Sequence, residues 1–220
     1  MQHDPTAQGL SPIRATYLRA AEHVVQVISQ PTIGERWHQP SALEQMSIGD
    51  LTAHLCRSIQ LVAAFLDADE PDAGDPITPQ AYFGDIAGLD DVESTVNAGI
   101  RDRARQDGSG GYTATVDAAR RTLDALATRL SHEPVERRVT AFAGRPMLLD
   151  DFLRTRLVEF AVHLDDLAAS LGDDIAAPPE ALAETLVLLL GVAQHRHGDL
   201  AVLRAMTRRE RDTRQALRVF

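Results

Sequence analysis

Between positions 149 and 171 the apolar residues Leu149, Leu153, Leu157, Phe160, Leu164, Leu167 and Leu171 recur at gaps of three and four. That spacing follows the 3.6-residue turn of an α-helix. A strand, whose side chains alternate with a period of two, cannot keep these residues on one face. A helix with such a stripe must bury it against other elements. Comparable stripes recur at Ile13, Tyr17, Ala21, Val24 and Ile28, at Ile48, Leu55, Ile59, Val62 and Leu66, and at Val116, Ala119, Leu123, Leu126 and Leu130. Four amphipathic helices, near 11–29, 47–68, 113–131 and 149–171, predict an all-α fold built as an antiparallel four-helix bundle.

Punctuation supports these spans. Ser11-Pro12 pairs a capping residue with the residue favoured at the first helical position, and the helix it starts ends before Pro31. Ser47 with Asp50 makes a capping-box pattern. Asp150 and Asp151 suit a helix start, and Gly172 a helix end. Asp67 to Gly111 is rich in Asp, Pro and Gly and reads as a long loop with a short helix near Asp90 to Arg105, placed to roof a pocket. Val139 to Pro146 reads as an extended or hairpin segment, and Pro178-Pro179-Glu180 opens an apolar helix through Leu182, Leu186, Leu189 and Val192. Trp37 is expected to pack the loop before the second helix. The expected division is a bundle over residues 1–193 and an Arg-rich tail over 194–220, packed on the same domain.

Beside the 149–171 stripe runs a second one: Arg156, Glu159, His163 and Asp166. Glu159 and His163 lie one helical turn apart on one face, so a carboxylate and an imidazole can reach a common point. His54, which borders the core face of the second helix, is the natural third ligand. His54, Glu159 and His163 would form a His2Glu set that holds a divalent metal and leaves a position open. An exposed polar pair is the plainer reading of the Glu159–His163 spacing. Arg57 and Arg156 are candidate catalytic side chains, since guanidinium forks match carboxylates, with ordinary pairing to Asp or Glu as the alternative. Asp166 is placed to orient a ligand ring or to face solvent.

Trp37-His38-Gln39-Pro40-Ser41, Met46 through Leu55 and Arg156 through Leu167 resemble the metal-binding domain of mycothiol-dependent maleylpyruvate isomerases, within the DinB-like group of four-helix proteins. The resemblance covers most of residues 11–193 and thins over the tail. It implies metal-ligand roles for His54, Glu159 and His163. It also implies a thiol chemistry in which a small-molecule thiol such as mycothiol, activated at a divalent metal, attacks an electrophilic substrate in an S-transfer or a cis-trans isomerisation. Two imidazoles and a carboxylate suit zinc best. A non-catalytic metal-binding bundle and a metal-dependent hydrolase are the alternatives.

The net charge of -10 argues against nucleic acid and anionic membrane surfaces as partners. All 22 basic residues are arginine. The longest apolar run, Leu186 to Ala193, is far short of the roughly 20 residues that span a bilayer. The start Met1-Gln2-His3-Asp4-Pro5 lacks the features of a secretory signal, so a cytoplasmic location is expected. The one cysteine, Cys56, reads as a buried structural thiol. His195 and His197 cannot share a helical face, which disfavours a second metal site, and Arg204, Arg208, Arg209, Arg211, Arg214 and Arg218 are expected to pack against acidic surface. A homodimer is left open.

Overall fold

Ser11 accepts a hydrogen bond from the Arg14 N–H at 3.3 Å and Pro12 takes the first helical position, which starts helix α1 (Pro12–Ile28). A one-turn helix α2 (Pro31–Glu35) follows. Ser47 and Asp50 cap one another reciprocally, the hydroxyl accepting from the Asp50 N–H at 3.0 Å and the carboxylate from the Ser47 N–H at 2.9 Å, and helix α3 (Ile48–Asp67) begins there. The computed structural model describes residues 10–71, 74–88, 91–141, 144–207 and 214–219, with nine α-helices among them.

Helices α1, α3, α6 (Gly111–Arg129) and α7 (Leu149–Leu171) pack as the bundle that the stripes predict. Their shared core holds Tyr17, Ile28, Leu51, Leu55, Ile59, Leu126, Phe152 and Phe160, all fully buried. Tyr17 stacks on Phe160 at 5.6 Å between ring centroids, and its hydroxyl donates to the Ser58 carbonyl at 3.3 Å, so the one polar atom of that side chain is satisfied in the core. Two ring pairs fix the direction of α3 against α7: His54 meets His163 at 4.7 Å and Phe65 meets Phe152 at 5.0 Å. The start of one helix therefore faces the end of the other. Gly172, at φ 70°, ends α7 in the left-handed conformation that glycine adopts without strain.

Asp67 to Gly111 departs from the expected long loop. It holds two helices, α4 (Pro79–Gly84) and α5 (Thr95–Gly108), of which the second matches the short helix expected near 90–105; Asp90 itself lies outside the described residues. Each starts on a hydroxyl cap, Thr78 accepting from the Ala81 N–H and Ser94 from the Asn97 N–H. α5 packs chiefly on α3, so it needs only a thin apolar edge and carries a weak sequence signal. Trp37 is buried before α3, edge-on to Tyr112, and lies over Gly49, where a Cβ would come within 2.5 Å of the indole.

The expected hairpin is two short antiparallel strands, β1 (Arg138–Thr140) and β2 (Pro146–Leu148), with Val139 opposite Met147; Phe142 and Ala143 are outside the described residues. Helix α8 (Pro179–His197) packs on α7 and α4, and α9 (Asp199–Thr207) on α8. α8 runs unbroken through residue 193, so a division there falls inside a helix. Val192, Ala193, Val202 and Val219 join Phe83 and Val158 in a second apolar cluster. Arg204 and Arg218 are exposed, whereas Arg208, Arg209 and Arg211 and the side chain of Arg214 lie outside the described residues. His195 contacts Asp85 at 3.0 Å and His197 the Arg218 carbonyl at 3.2 Å, so the two rings have different partners. No helix among the described residues is long and apolar enough to cross a membrane.

Candidate metal centre

The antiparallel α3–α7 pair brings His54, in the second turn of α3, level with Glu159 and His163 in the middle of α7. One ligand-type atom from each of the three lies within 4.8 Å of the others. Both imidazoles address the same carboxylate oxygen: His54 Nε2 is 3.3 Å and His163 Nε2 3.4 Å from Glu159 Oε2. These separations are long for N–H···O hydrogen bonds. They match the edge of a tetrahedron of donors bound at about 2.1 Å, which is about 3.4 Å. Two nitrogens, each at this spacing from one carboxylate oxygen and within 4.8 Å of each other, can converge on a small divalent ion.

The surroundings orient two of the three donors. His163 Nδ1 lies 2.9 Å from Asp166 Oδ2, which assigns the proton to Nδ1 and turns Nε2 towards Glu159 and His54. The other oxygen of Glu159 faces Arg156, Nη2 to Oε1 being 3.9 Å. Arg156 is 4% exposed, lies over the Phe152 ring at 4.8 Å, and donates to the Tyr82 hydroxyl at 3.0 Å. Arg57 donates to Asp107 at 2.9 Å, which ties α3 to α5. Of the two candidate arginines, then, Arg156 touches the His-Glu-His group and Arg57 is paired beside it.

Burial alone would raise the Glu159 carboxyl, yet hydrogen bonding to His163 and His54 and the Arg156 charge outweigh it and hold the group well below the ordinary range. Burial would lower the His163 ring, but Asp166 and Glu159 lift it to about 9. For His54 burial wins: desolvation lowers it, only partly offset by Glu159 and reinforced by the charges of His163 and Arg156. Holding a cation here requires the second proton of His163 to leave.

The cluster lines a cavity of about 770 Å³ between α3, α4, α5 and α7. Tyr82, Phe83 and Ile86 from the α4 region and Val96 and Ile100 from α5 face it, so the stretch expected to roof a pocket does so. Two residues at this site were not singled out from the sequence: Tyr82, which holds Arg156, and Asp107, which holds Arg57. For Tyr82 a signal existed, since Thr78-Pro79 is a cap followed by a first-turn proline. Cys56, fully buried on another face of α3, does not line the cavity.

Fold and cluster together define a helical bundle with a His-Glu-His group in the wall of an interhelical cavity. The family model for the mycothiol maleylpyruvate isomerase N-terminal domain matches residues 17–168, a span that contains all three of these residues, and the chain belongs to that family. Comparison with curated proteins and with solved structures gives no significant match.

Proposed function

We propose that the protein is a divalent-metal-dependent enzyme that uses a small-molecule thiol of the mycothiol kind in S-transfer or cis-trans isomerisation, with zinc as the metal. The observation that carries this reading is the placement of two imidazole nitrogens, each at tetrahedral-edge spacing from one carboxylate oxygen, in the wall of a cavity. When bound, such a cation lowers the pKa of a coordinated thiol from roughly 8.5, so that the sulfur is a nucleophile at neutral pH.

The chain's own residues do the rest. His54, Glu159 and His163 hold the ion, and Asp166 keeps His163 in the tautomer whose Nε2 lone pair faces it. Arg156 is a positioning residue: with its guanidinium held by Tyr82 and the Phe152 ring, it aims Glu159 and keeps that carboxylate charged. Arg57 stands at the cavity wall with Asp107 as partner, where it can exchange to a carboxylate of the thiol or its acceptor. In transfer, the sulfur forms a bond to the electrophilic carbon as the leaving group departs with the bonding pair. In isomerisation, sulfur adds to a conjugated double bond, the resulting single bond rotates, and sulfur is expelled.

Elemental analysis of untagged protein offered zinc tests the reading, together with thiol and electrophile consumption assayed side by side. About one zinc per chain, lost in His163→Ala, with electrophile consumed only when thiol is present, is expected. Electrophile or ester consumed without thiol indicates a hydrolase instead. Stoichiometric metal with no turnover indicates a binding bundle, and no metal overturns the proposal.

A further inference from the structure

We propose that the substrate carried by this cavity has an unbranched apolar tail about 10 Å long, which lies along α3 and α7 beneath α4 and α5 with its reactive head at the His54–Glu159–His163 level. The inference rests on the functional reading above for the head of the substrate and on independent geometry for its tail.

Because α3 and α7 run antiparallel, the cavity can be measured along them. The ligand-type residues mark one level, and the Phe65–Phe152 ring pair marks another. Glu159 and Phe152 are seven residues apart on one helix, so the two levels are about 10 Å apart at 1.5 Å per residue. Helix α5 runs antiparallel to α3 as well: Gly108 abuts Gly49 and Ala53, and Asp107 reaches Arg57. Moving back along α5 through Ile100 and Val96 therefore moves up α3 towards Phe65.

The walls of this stretch are Leu61, Phe65, Val96, Ile100, Phe83 and Phe152. Leu61, Phe65, Val96 and Ile100 are only half-buried although large and apolar, and each borders the cavity. Arg156 crosses the stretch, but its guanidinium faces Phe152, Tyr82 and Glu159 rather than standing free. Small polar dicarboxylates would leave this surface wetted. A hydrocarbon tail covers it, and each added methylene gains about fourfold in affinity, the equivalent of about 0.8 kcal/mol.

The test is a chain-length series with two readouts. In the first, the neutral fluorophore N-phenyl-1-naphthylamine is bound to the metal-free protein and displaced by n-alkyl amides from ethyl to decyl. In the second, kcat/KM is measured on the zinc-loaded protein with a thiol and N-alkylmaleimides of the same lengths, the sulfur adding across the ring double bond and the thiol proton ending on the adjacent carbon. Both should rise about fourfold per methylene and level off near octyl. Ile100→Trp, a change at a half-buried wall, should move the plateau to shorter chains while leaving zinc content unchanged. Displacement that ignores chain length, or a plateau that Ile100→Trp does not move, overturns the proposal. Chain-length-dependent displacement without any thiol turnover leaves the groove assignment standing and removes the enzymatic reading. Turnover that is indifferent to chain length does the reverse.

Discussion

Removing the Asp166 carboxylate separates a metal centre from a chance gathering of polar side chains. Asp166 accepts from His163 Nδ1 at 2.9 Å, a charge-assisted bond that fixes the ring and raises the basicity of Nε2. Its side chain is 22% exposed, so solvent screens part of that interaction and the gain belongs near the lower end of the about 1.5–3 kcal/mol range for bonds to charged groups. Asp166→Ala should therefore weaken zinc binding by roughly tenfold to thirtyfold. Competition against a fluorescent zinc chelator at fixed pH reads this directly. Asp165→Ala supplies the control, because it removes the same charge from the neighbouring, exposed position of the same helix. Equal effects from the two variants, or none from Asp166→Ala, would show that His163 is not oriented for a ligand role. Without metal, Asp165→Ala should stay within about 0.5 kcal/mol of the parent, whereas Asp166→Ala loses the part-buried bond to His163 and should fall by about 1–2 kcal/mol.

Three further outcomes test the fold that sets up the site. Arg14 is 4% exposed and ties α1 to Asp150 and to the Leu130, Glu133 and Pro134 carbonyls, so Arg14→Leu should cost about 3 kcal/mol in urea unfolding by leaving those groups unpaired. Gly49→Ala drives a methyl to within 2.5 Å of the Trp37 indole; a clash of about 1–3 kcal/mol outweighs the at most about 1 kcal/mol that alanine gains in a helix, and a lower urea midpoint should be measured. Burial pushes the Cys56 thiol up to about 12, reinforced by the Asp107 charge, so its thiolate fraction at pH 8 is roughly a thousandfold below that of an ordinary thiol. Iodoacetamide should label it only after unfolding; rapid labelling of the folded chain would contradict the packing of α3.

Much of this was legible in the sequence because the features are local. Ser47 and Asp50 cap α3 within one turn, the 149–171 leucines mark α7, and Glu159 and His163 needed only helical spacing to share a face. The convergence of His54 on that pair depends on the level at which α3 meets α7, which is set by core packing between residues about a hundred positions apart and leaves no short-range signal. α4 was hidden, and α5 was legible only as a short helix near 90–105, for a different reason: both border a cavity rather than a full core, so the apolar period is weak and Gly, Asp and Pro dominate the reading. The spacing of the two imidazoles from the Glu159 oxygen is likewise a property of side-chain positions, beyond what periodicity can give.

The ligand-type residues and the opposite wall of the cavity come from different parts of the chain. His54, Glu159 and His163 stand on α3 and α7, two helices of the bundle, whereas Tyr82, Phe83, Val96 and Ile100 stand on the connection between α3 and α6. On the proposed reading, part of the substrate wall therefore lies on a segment separate from the metal-holding helices. If the proposed reading holds, substitutions at Tyr82, Phe83, Val96 or Ile100 can change which molecules are admitted without touching His54, Glu159 or His163.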